Sequence, residues 1–443
     1  MRIQLPPDVA TIIHRLQEHG YDAYAVGGCI RDSILGREPN DWDITTSALP
    51  MQVKEIFDKT IDTGIQHGTV TVLMHHVGYE VTTYRIDGIY EDARHPKEVT
   101  FTPDLTEDLK RRDFTINAMA YNDTEGLVDV FDGRGDLERG IVRAVGDAKQ
   151  RFTEDALRMM RAVRFAAQLG YEIEEDTKEA IRQLAPNLKK ISAERIQVEL
   201  VKLVTSDHPE HMRLLYETNI TKVIMPQFDR MMETTQNNPH HCYNVGEHTI
   251  HAMQEIKNDK VLRLAMLFHD IGKPDCKTTG EDGIDHFHGH SVRSEEIAKE
   301  ILRGLKFDND TIHKVAKLTR HHDEKVIPQP KYVRRALNKV GEDIFVLLFD
   351  VKHADMMAQS QYMREEKQKE LEELLEAYKQ VKEKKQCFQM KDLAVTGADL
   401  IAIGMQQGPQ LGVTLKKLLD EVVENPEKNQ KDILLQMVKE SIF

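Results

Sequence analysis

The residues best suited to chemistry in the N-terminal part of the chain are two aspartates, Asp41 and Asp43, separated by a single residue. They follow a glycine pair, Gly27 and Gly28, and an arginine, Arg31. An apolar run before the glycines predicts a short strand, and the segment after them predicts a helix. Such a strand-to-helix turn offers unpaired N–H groups and the positive end of the helix dipole to an anion. The pattern therefore predicts a phosphate-binding turn beside two carboxylates.

The two aspartates also predict a metal site. Side chains alternate along a strand, so Asp41 and Asp43 would share one face while Trp42 and Ile44 point to the other. Two negative charges this close repel each other, and a divalent cation between them relieves the repulsion. Hard oxygen ligands beside a phosphate favour Mg²⁺ over Zn²⁺. An isolated Asp-x-Asp pair usually faces solvent, but the glycines and the arginine that precede this pair favour the metal site.

A second polar segment, residues 110–121, places Arg111, Arg112 and Asp113 before an apolar run that predicts a helix. Asp113 stands where the N-cap of that helix would be. On its own, a basic pair before a helix indicates a surface that faces solvent.

Farther along the chain, residues 152–169 predict one helix with Thr153 as its N-cap. Asp155 and Arg158 are three residues apart, so they would share a face of that helix. One interpretation is an ion pair that stabilises the helix. The other is that Asp155 accepts a hydrogen bond from an exocyclic amino group while Arg158 donates to ring acceptors. Cytosine and adenine offer such an edge, whereas uracil and guanine present a carbonyl there, so the pair could admit CTP and ATP alone.

The middle of the chain is rich in histidine. An apolar helical segment ends in the pair His269 and Asp270, directly before Ile271 and Gly272. Neutral imidazoles with a neighbouring carboxylate suit a transition metal or a hydrolytic metal better than Mg²⁺ alone. Any single histidine is more commonly a surface residue, so a histidine by itself does not indicate a ligand.

Three strings carry a resemblance to a known family: GG-x-I-R-D-x-I-L-G-R-x-x-x-D-W-D-I-T from Gly27, RRDFT-x-NA from Arg111 and E-D-A-L-R-M-x-R-A-x-R-F from Glu154. They resemble class II tRNA nucleotidyltransferases and bacterial poly(A) polymerases, members of the polymerase-beta-type nucleotidyltransferase superfamily. The resemblance implies that Asp41 and Asp43 are catalytic and bind Mg²⁺. It also implies that the nucleotide is bound by Gly27, Gly28, Arg31, Arg112, Asp113, Asn117, Asp155, Arg158, Arg161 and Arg164.

The same resemblance suggests roles for three further features. Glu80 lies in a predicted strand, where this superfamily often places a third acidic residue, although a surface carboxylate explains it equally well. The connection of residues 87–109 corresponds to a loop associated with the change from adding C to adding A. Asp129, Gly133 and Asp136 match a hinge motif, which a simple turn also explains.

The order of histidines and aspartates in the middle of the chain resembles the HD phosphohydrolase superfamily. That resemblance implies a divalent transition metal and a phosphodiesterase or phosphatase activity, such as trimming cyclic phosphates at RNA ends. The implied metal ligands are His248, His269, Asp270 and Asp355, with His290 and His322 as additional candidates.

The composition is that of an ordinary soluble protein of 443 residues, of which 40% are hydrophobic and 30% charged. A formal charge of -14 argues against a protein that coats nucleic acid, although a local basic surface suffices for an enzyme that acts on it. The four cysteines follow no Cys-x-x-Cys pattern, so neither a disulfide framework nor a zinc ribbon is indicated. No segment resembles a membrane span or a signal peptide, which predicts a cytoplasmic protein.

In order, the chain predicts an α+β protein with a small N-terminal mixed β-sheet head (1–145), followed by an all-α neck (146–235), an HD region (236–360) and a helical tail (361–443). The predicted function is template-independent addition or repair of the 3′-terminal CCA of tRNA from CTP and ATP, with an additional phosphohydrolase activity. One alternative is an A-adding enzyme or poly(A) polymerase, and another is an HD metal phosphohydrolase whose N-terminal domain only binds nucleotides. Candidates for contact with RNA phosphates are Lys189, Lys190, Arg195, Lys416 and Lys417.

Overall fold

The acid pair lies at the start of a central strand of a mixed sheet. The computed structural model describes residues 2–88 and 99–442, and contacts divide the chain into two compact units, Met1–Pro226 and Gln227–Phe443. The strands of the first unit are β1 (Ala23–Val26), β2 (Asp43–Thr46), β3 (Thr60–Gly64), β4 (Thr69–Met74), β5 (Val77–Thr83), β6 (Arg85–Asp87), β7 (Val99–Phe101), β8 (Ala120–Asn122), β9 (Gly126–Val128), β10 (Ile141–Val142) and β11 (Glu172–Ile173).

The main sheet has the strand order β3-β4-β5-β2-β1-β8-β9. β2 runs antiparallel to β1 and parallel to β5, which makes the sheet mixed, as the sequence predicts. All four residues of β1 are buried because the strand lies inside the sheet and carries only apolar side chains and one tyrosine. β6 and β7 form a separate antiparallel pair. The rest of the connection that resembles the family's loop, residues 89–98, lies outside the described residues.

The helices of the first unit pack against this sheet or follow it along the chain. They are α1 (Pro7–Glu18), α2 (Gly28–Ile34), α3 (Pro50–Ile56), α4 (Leu105–Lys110), α5 (Gly133–Arg139), α6 (Ala148–Glu154), α7 (Leu157–Leu169), α8 (Glu175–Leu184), α9 (Ala193–Val204), α10 (Met212–Glu217) and α11 (Thr221–Ile224), and α12 (Pro226–Glu233) begins at the last residue of the unit. Short 3-10 helices span Ile65–His67, Thr115–Asn117, Ala185–Lys190 and Pro209–His211. α1 forms as its sequence predicts, because its apolar residues recur at helical spacing and are buried against β1.

The single helix predicted over residues 152–169 is wrong. The structure has two helices there, α6 and α7, which are separated at Asp155. Asp155 has extended dihedral angles, φ −137° and ψ 105°, so the helix cannot continue through it. Thr153 is therefore not an N-cap and lies inside α6, where its hydroxyl donates to the carbonyl of Lys149. The sequence gives no sign of this break because neither glycine nor proline stands at it.

The helix predicted after Asp113 is also absent. α4 ends at Lys110, and the 3-10 helix Thr115–Asn117 and strand β8 occupy the segment instead. β8 pairs with β1, so the sheet determines the conformation of this apolar run in spite of its helical pattern.

The second unit is largely helical. Its helices are α13 (Val245–Glu255), α14 (Lys260–Phe268), α15 (Lys273–Cys276), α16 (His290–Gly304), α17 (Asn309–His321), α18 (Pro330–Val340), α19 (Glu342–Ala358), α20 (Arg364–Glu383), α21 (Gly397–Ala402), α22 (Pro409–Glu424) and α23 (Lys431–Ile442). Two strands, β12 (Thr278–Thr279) and β13 (Asp285–His286), pair antiparallel, and 3-10 helices span Met390–Asp392 and Pro426–Lys428. The all-α prediction for residues after 145 therefore needs two corrections, this strand pair and the parallel pair β10–β11.

α19 is central to the second unit because it packs against α13, α14 and α17, three of the helices that carry the histidine-rich segments. The tail has a hydrophobic core of its own between α21, α22 and α23, with Leu400, Leu419 and Leu434 among its buried residues. Among the described helices, none combines the length and the apolar character needed to cross a bilayer. The finer division into four domains stays a prediction.

Candidate active sites

The turn between β1 and α2 is shaped by the guanidinium of Arg112. Gly27 has a φ of 87°, in the left-handed region that favours glycine. A Cβ atom on Gly27 would lie 3.1 Å from Nη1 of Arg112, so a larger residue would displace that side chain. The N–H of Gly27 donates to the carbonyl of Met119 and is not available to a phosphate. The positive charge of Arg112, rather than this N–H, is therefore the group that would attract an anion here.

Asp41, Asp43 and Glu80 form a group of carboxylates at the start of β2. Asp43 is the first residue of β2, directly across from the last residue of β1. Asp41 precedes the strand, so the predicted strand alternation does not apply to it. Glu80 and Asp43 each precede a residue of the Val81–Ile44 pair, which joins β5 to β2 in parallel, so Glu80 is next to Asp43 on the neighbouring strand. The structure thus brings together the acid pair, the glycine turn and the third acid.

These acids act on one another electrostatically. Desolvation raises the pKa of Asp43, the charge of Arg112 opposes the rise, and the charge of Asp41 adds to it. Desolvation and the charges of Asp43 and Asp41 raise the pKa of Glu80. Oxygen donors that repel one another in this way are suited to a hard divalent cation. The group therefore fits Mg²⁺, with Asp41 and Asp43 as ligands and Glu80 as an acid close to them.

Asp108 holds two arginines next to these acids, and nothing in the sequence motifs identified it. Its carboxylate is fully buried and lies 2.8 Å from Nη2 of Arg111 and 3.5 Å from Nη2 of Arg112. It also accepts hydrogen bonds from the hydroxyl of Thr45 and the N–H of Arg85. Burial opposes its ionisation, but the two arginines lower its pKa. The spacing of three and four residues between the acid and the arginines was the signal that could have revealed this role.

One donor of Arg112, its buried Nε, has no hydrogen-bond partner among the described residues. A buried donor without a partner is costly, so such a group in a native site indicates a ligand or water that completes it. The observation fits the predicted role of Arg112 in nucleotide binding.

A chain of hydrogen bonds joins Arg31 to Arg161 through Asn117 and Asp113. Arg31 Nη1 donates to Asn117 Oδ1 at 2.6 Å, and Asn117 Nδ2 donates to Asp113 Oδ1 at 3.1 Å. The other carboxylate oxygen of Asp113 lies 2.7 Å from Nη2 of Arg161. Burial opposes ionisation of Asp113, but Arg161 and Asn117 bring its pKa to about 2. Both oxygens of Asp113 are thus engaged within the protein, where they orient residues predicted to bind the nucleotide.

Three arginines surround the ring of Phe165 in α7. The guanidinium carbons of Arg31, Arg161 and Arg164 lie 5.0, 5.4 and 3.8 Å from the ring centroid. Arg164 is buried, and its guanidinium pairs with Glu199 of α9. This burial argues against the nucleotide contact that the resemblance implies for Arg164, because its guanidinium holds α7 against α9.

Asp155 and Arg158 do not pair with each other, so the ion-pair interpretation is wrong. Asp155 accepts a hydrogen bond from a backbone N–H of α7 and from Arg195, at 2.9 and 2.7 Å. Arg158 pairs with Glu154 at 2.8 Å and donates to the carbonyl of Arg111. The two side chains are therefore fixed by separate partners. Arg195, expected to contact RNA, holds Asp155 in place instead.

The residues of the predicted hinge motif form a packed turn. Both oxygens of Asp129 accept backbone N–H groups at the start of α5. A Cβ atom on Gly133 would lie 2.2 Å from the carbonyl oxygen of Thr115, so only glycine fits there. The buried Asp136 accepts a hydrogen bond from the Thr115 hydroxyl. These contacts explain the motif by packing, and the hinge stays a prediction.

The second unit brings together the four residues implied as metal ligands by the HD resemblance. His248 Nε2 lies 2.9 Å from an oxygen of Asp355 and 3.3 Å from His269 Nε2. His269 Nε2 lies 3.2 Å from Oδ2 of Asp270. The three residues His248, His269 and Asp270 are buried, and their donor atoms lie within 4.8 Å of one another, as a bound metal requires.

The two additional candidates form a second group with the same aspartate. His290 Nε2 and His322 Nε2 lie 3.4 and 3.6 Å from Oδ1 of Asp270, whereas His269 Nε2 lies close to Oδ2. Asp270, His290 and His322 also satisfy the geometry of a metal site. The carboxylate of Asp270 therefore lies between two sets of imidazoles and could bridge two cations.

The backbone fixes the orientation of all four imidazoles. Nδ1 of each ring faces a carbonyl oxygen, which is Ala358 for His248, Met266 for His269, Phe287 for His290 and Thr319 for His322, at 3.3, 2.7, 2.8 and 2.8 Å. A hydrogen bond from Nδ1–H places the lone pair of Nε2 toward the aspartates. Imidazoles held in this way, together with carboxylates, fit a transition metal.

The sequence motifs assigned no role to two residues of this site. Lys273 Nζ lies 2.6 Å from Oδ2 of Asp270 and donates to the side chain of Gln236. His241 is half-buried, packs edge-to-face against His248, and has a pKa lowered to about 3 by burial and the charge of Lys273. Lys273 follows the His-Asp pair by three residues, which puts it on the same side of the chain and was the available signal.

We expect the metal content of the second unit to fall as the pH falls. Burial opposes protonation of His269 and His290, but Asp270 raises the pKa of both in the metal-free protein. Below these raised values a cation must displace protons, so protons compete with it. Dialysis against metal buffers at decreasing pH, followed by elemental analysis, measures the effect. The exposed His313 of α17, changed to Gln, is the control and should leave the profile unchanged. A metal content that stays constant until the protein unfolds would contradict the expectation.

The comparisons with known proteins agree with the first unit's site and define its class. Residues 23–143 match the family model described as the poly A polymerase head domain, and residues 170–232 match the probable RNA and SrmB-binding site of polymerase A. Residues 287–438 match a putative tRNA nucleotidyltransferase domain 2, a description that does not name an HD site. The head is therefore that of a nucleotidyltransferase.

Relatives with curated names identify the family. A CCA-adding enzyme of Levilactobacillus brevis is 36% identical over 431 residues, which is 96% of each chain. Those of Leuconostoc mesenteroides and Lactiplantibacillus plantarum are 55% and 54% identical over 204 and 209 residues. These two alignments span about half (51%) of each relative's length and 45% and 46% of this chain. The chain belongs to the family of CCA-adding enzymes.

Solved structures have the same fold. The crystal structure of the Bacillus stearothermophilus CCA-adding enzyme in complex with CTP is 32% identical and has a TM-score of 0.72. The match covers 99% of this chain and 98% of that enzyme. A Thermotoga maritima CCA-adding enzyme complexed with tRNA is 19% identical, with a TM-score of 0.59 and complete coverage of both chains, and supports the fold alone.

Proposed function

We propose that the first unit adds or repairs the 3′-terminal CCA of tRNA from CTP and ATP and releases pyrophosphate. The observation that carries this proposal is the group of Asp41, Asp43 and Glu80 beside Arg112 and the glycine turn. Family membership supports the reaction. The relative with CTP in its structure supports the substrate.

In this proposal the residues of the head bind and align the triphosphate. Mg²⁺ bound by Asp41 and Asp43 would activate the RNA 3′-hydroxyl and stabilise the leaving pyrophosphate. Arg112 neutralises phosphate charge next to the acids, where its buried Nε lacks a partner. Arg31 and Asn117 contact the sugar and phosphates in the orientation set by Asp113. Phosphoryl transfer needs little more from a protein than this positioning and charge neutralisation.

The base is selected by Asp155 and Arg158 in this proposal. Arg158 pairs with Glu154 and Asp155 pairs with Arg195, so each side chain is held in a fixed position and the two do not pair with each other. A fixed acceptor and a fixed donor can distinguish the edges of C and A from those of U and G, because a mismatched edge places a carbonyl where the carboxylate needs an amino group.

Changing Asp155 to Asn should relax this selection. An amide presents either a carbonyl or an N–H, so we expect the preference for CTP over UTP, measured as the ratio of kcat/KM values, to fall at least about tenfold. The Oδ1 of asparagine can still accept the hydrogen bond from the N–H of Leu157, and a merely structural effect would lower all four rates together. Asp147→Asn, at the N-cap of α6, is the matched control. An unchanged CTP to UTP ratio in Asp155→Asn would refute the assignment.

Incubation with each nucleotide singly separates the CCA product from its nearest alternative. The substrate is tRNA that ends before CCA, and we expect incorporation from CTP first and from ATP only after CTP. Incorporation from ATP alone, with CTP ignored, would instead identify an A-adding enzyme or poly(A) polymerase.

A second function rests on the second unit. We infer a metal-dependent phosphodiesterase or phosphatase, because Asp270 lies between two groups of inward-facing imidazoles and Lys273 adds a positive charge beside it. Cations bound there would activate water and polarise a phosphoryl oxygen. The chain's own contribution is the fixed orientation of the four imidazoles. If the hydrolase were the only activity of the chain, wild-type protein would release phosphate but would not add nucleotides to tRNA.

The remaining parts of the proposal concern RNA and location. Lys189 and Lys190 are exposed and suit contact with tRNA phosphates. In the tail, Lys416 pairs with Asp420 and donates to Asn338, which leaves Lys417 as the better candidate of the two. The cysteines are free in the structure, which is compatible with a reducing cytoplasm.

A further inference from the structure

The ring of Phe165 gathers three positive charges in the first unit. The guanidinium carbons of Arg31, Arg161 and Arg164 all lie over the ring, within 5.4 Å of its centroid. Arg161 and Arg164 belong to α7, as Phe165 does, whereas Arg31 comes from α2. The face of an aromatic ring is negative and attracts cations, most strongly where water is excluded. Phe165 is only 6% exposed, so the attraction is strong here.

The ring also closes a circuit of polar contacts. Arg31 donates to Asn117, and Asn117 donates to one carboxylate oxygen of Asp113. Arg161 donates to the other oxygen of Asp113, at 2.8 Å. The two arginines at the ends of this series then meet over Phe165. The position of each guanidinium therefore depends on the ring as well as on its hydrogen bonds, although the two arginines belong to different segments.

Both arginines of the circuit have N–H groups outside it. A guanidinium has five N–H groups, and the contacts of Arg31 with Asp32 and Asn117 use three of them. Arg161 binds Asp113 through Nε and Nη2, and its Nη1 has no hydrogen bond to the described residues. Arg31 lines a cavity of about 360 Å³, and 35% of the Arg161 side chain is exposed, so a ligand can reach both. Two guanidiniums at a fixed spacing suit a chain of phosphates, whose oxygens accept from such forks.

We propose that Phe165 is a positioning residue of the nucleotide site, whose ring holds Arg31 and Arg161 where both donate to the polyphosphate chain of a nucleotide. The inference rests on the proposed addition of nucleotides by the first unit. Phe165 follows Arg158 by seven residues in α7, which is roughly 10 Å along the helix axis. The ring therefore acts on the phosphates and leaves the selection of the base to Asp155 and Arg158.

Replacing Phe165 with phenylalanines that carry one, two or three fluorine atoms on the ring tests this role. Each fluorine weakens the negative potential of the ring face and changes the shape of the side chain little. We expect KM for CTP and for ATP to rise with each fluorine, by at least about fivefold for three, while kcat stays within twofold of wild type. The preference for CTP over UTP should stay unchanged, because the ring does not touch the base.

The matched control is the same fluorinated series at Phe57, a buried ring of the first unit with the guanidinium carbon of Arg15 4.9 Å from its centroid. This series should leave both KM values unchanged. Unchanged KM values in the Phe165 series, or an equal rise in the Phe57 series, would overturn the inference. A rise in KM that follows a fall in unfolding temperature, instead of the number of fluorine atoms, would also overturn it, because Phe165 would then only pack α7.

Failure of nucleotide addition would be recognised separately. If wild-type protein adds no nucleotide, calorimetric titration with inorganic pyrophosphate decides the inference, because this probe carries phosphate groups only. A dissociation constant that rises with each fluorine at Phe165 and stays constant in the Phe57 series supports it, and equal affinities across the Phe165 series refute it. Phe165→Leu, which is apolar but has no aromatic face, should bind pyrophosphate at least as weakly as the variant with three fluorine atoms. Wild-type affinity in Phe165→Leu would refute the inference as well.

Discussion

Asp43→Asn should reduce nucleotide addition by about 10³-fold or more while the protein stays folded. The variant removes the charge of a proposed Mg²⁺ ligand, and metal catalysis of the proposed kind contributes several kcal/mol to transition-state stabilisation. The measurement is single-turnover addition of C to a tRNA that lacks its CCA end. Substantial retained activity in a correctly folded variant would refute the assignment of Asp43.

Thermal unfolding of the metal-free protein shows whether this variant is correctly folded. The pKa of Asp43 is raised in the folded protein, so its ionisation opposes folding at neutral pH when no metal is bound. We therefore expect metal-free Asp43→Asn to unfold at the same temperature as wild type or at a higher one. Asp58→Asn, at an exposed aspartate of the same unit, controls for the loss of one charge. A markedly lower unfolding temperature for Asp43→Asn alone would mean that the activity loss reports misfolding.

Asp270→Asn should abolish phosphate release and leave nucleotide addition within twofold of wild type. Asp270 belongs to both groups of potential metal ligands in the second unit, so its charge is needed for either cation. His290→Gln affects one group only. Elemental analysis should therefore find two metal ions per second unit in wild type, one in His290→Gln and none in Asp270→Asn.

The loss of Asp270 also leaves the buried Lys273 without its closest carboxylate, which costs folding free energy. His290→Gln avoids this cost and keeps the test decisive if Asp270→Asn is unstable. His313→Gln is the matched control on the exposed side of α17. Equal metal content in His290→Gln and wild type would contradict the two-group arrangement.

The parts of the fold and sites that could be predicted are those encoded locally. Asp41, Asp43 and the glycine turn lie within seventeen residues of one another along the chain, and the sheet brings them together by pairing two adjacent strands. α1 follows from its apolar spacing. In the second unit, the order of histidines and aspartates was enough to suggest the ligands, and their donor atoms do lie together.

The parts that could not be predicted depend on contacts between distant segments. Asp108 accepts a hydrogen bond from the hydroxyl of Thr45, which lies 63 residues away and which only the folded sheet brings to it. No glycine or proline marks the separation of α6 from α7 at Asp155, and Arg195, forty residues away, pairs with the partly buried carboxylate of Asp155. The carbonyl oxygens that orient the imidazoles belong to the backbone, so no residue type reveals them.

The hydrogen-bonded series Arg31, Asn117, Asp113 and Arg161 has a consequence for how this protein can change over evolutionary time. Asn117 must present its oxygen to a cation and its NH₂ to an anion, which no other side chain of that size does. An aspartate at residue 117 would place two carboxylates in contact. A leucine there would remove the hydrogen bonds to Arg31 and Asp113. A substitution at one of the four positions therefore requires compensating substitutions at the others. We expect related sequences to keep all four residues or to replace them together.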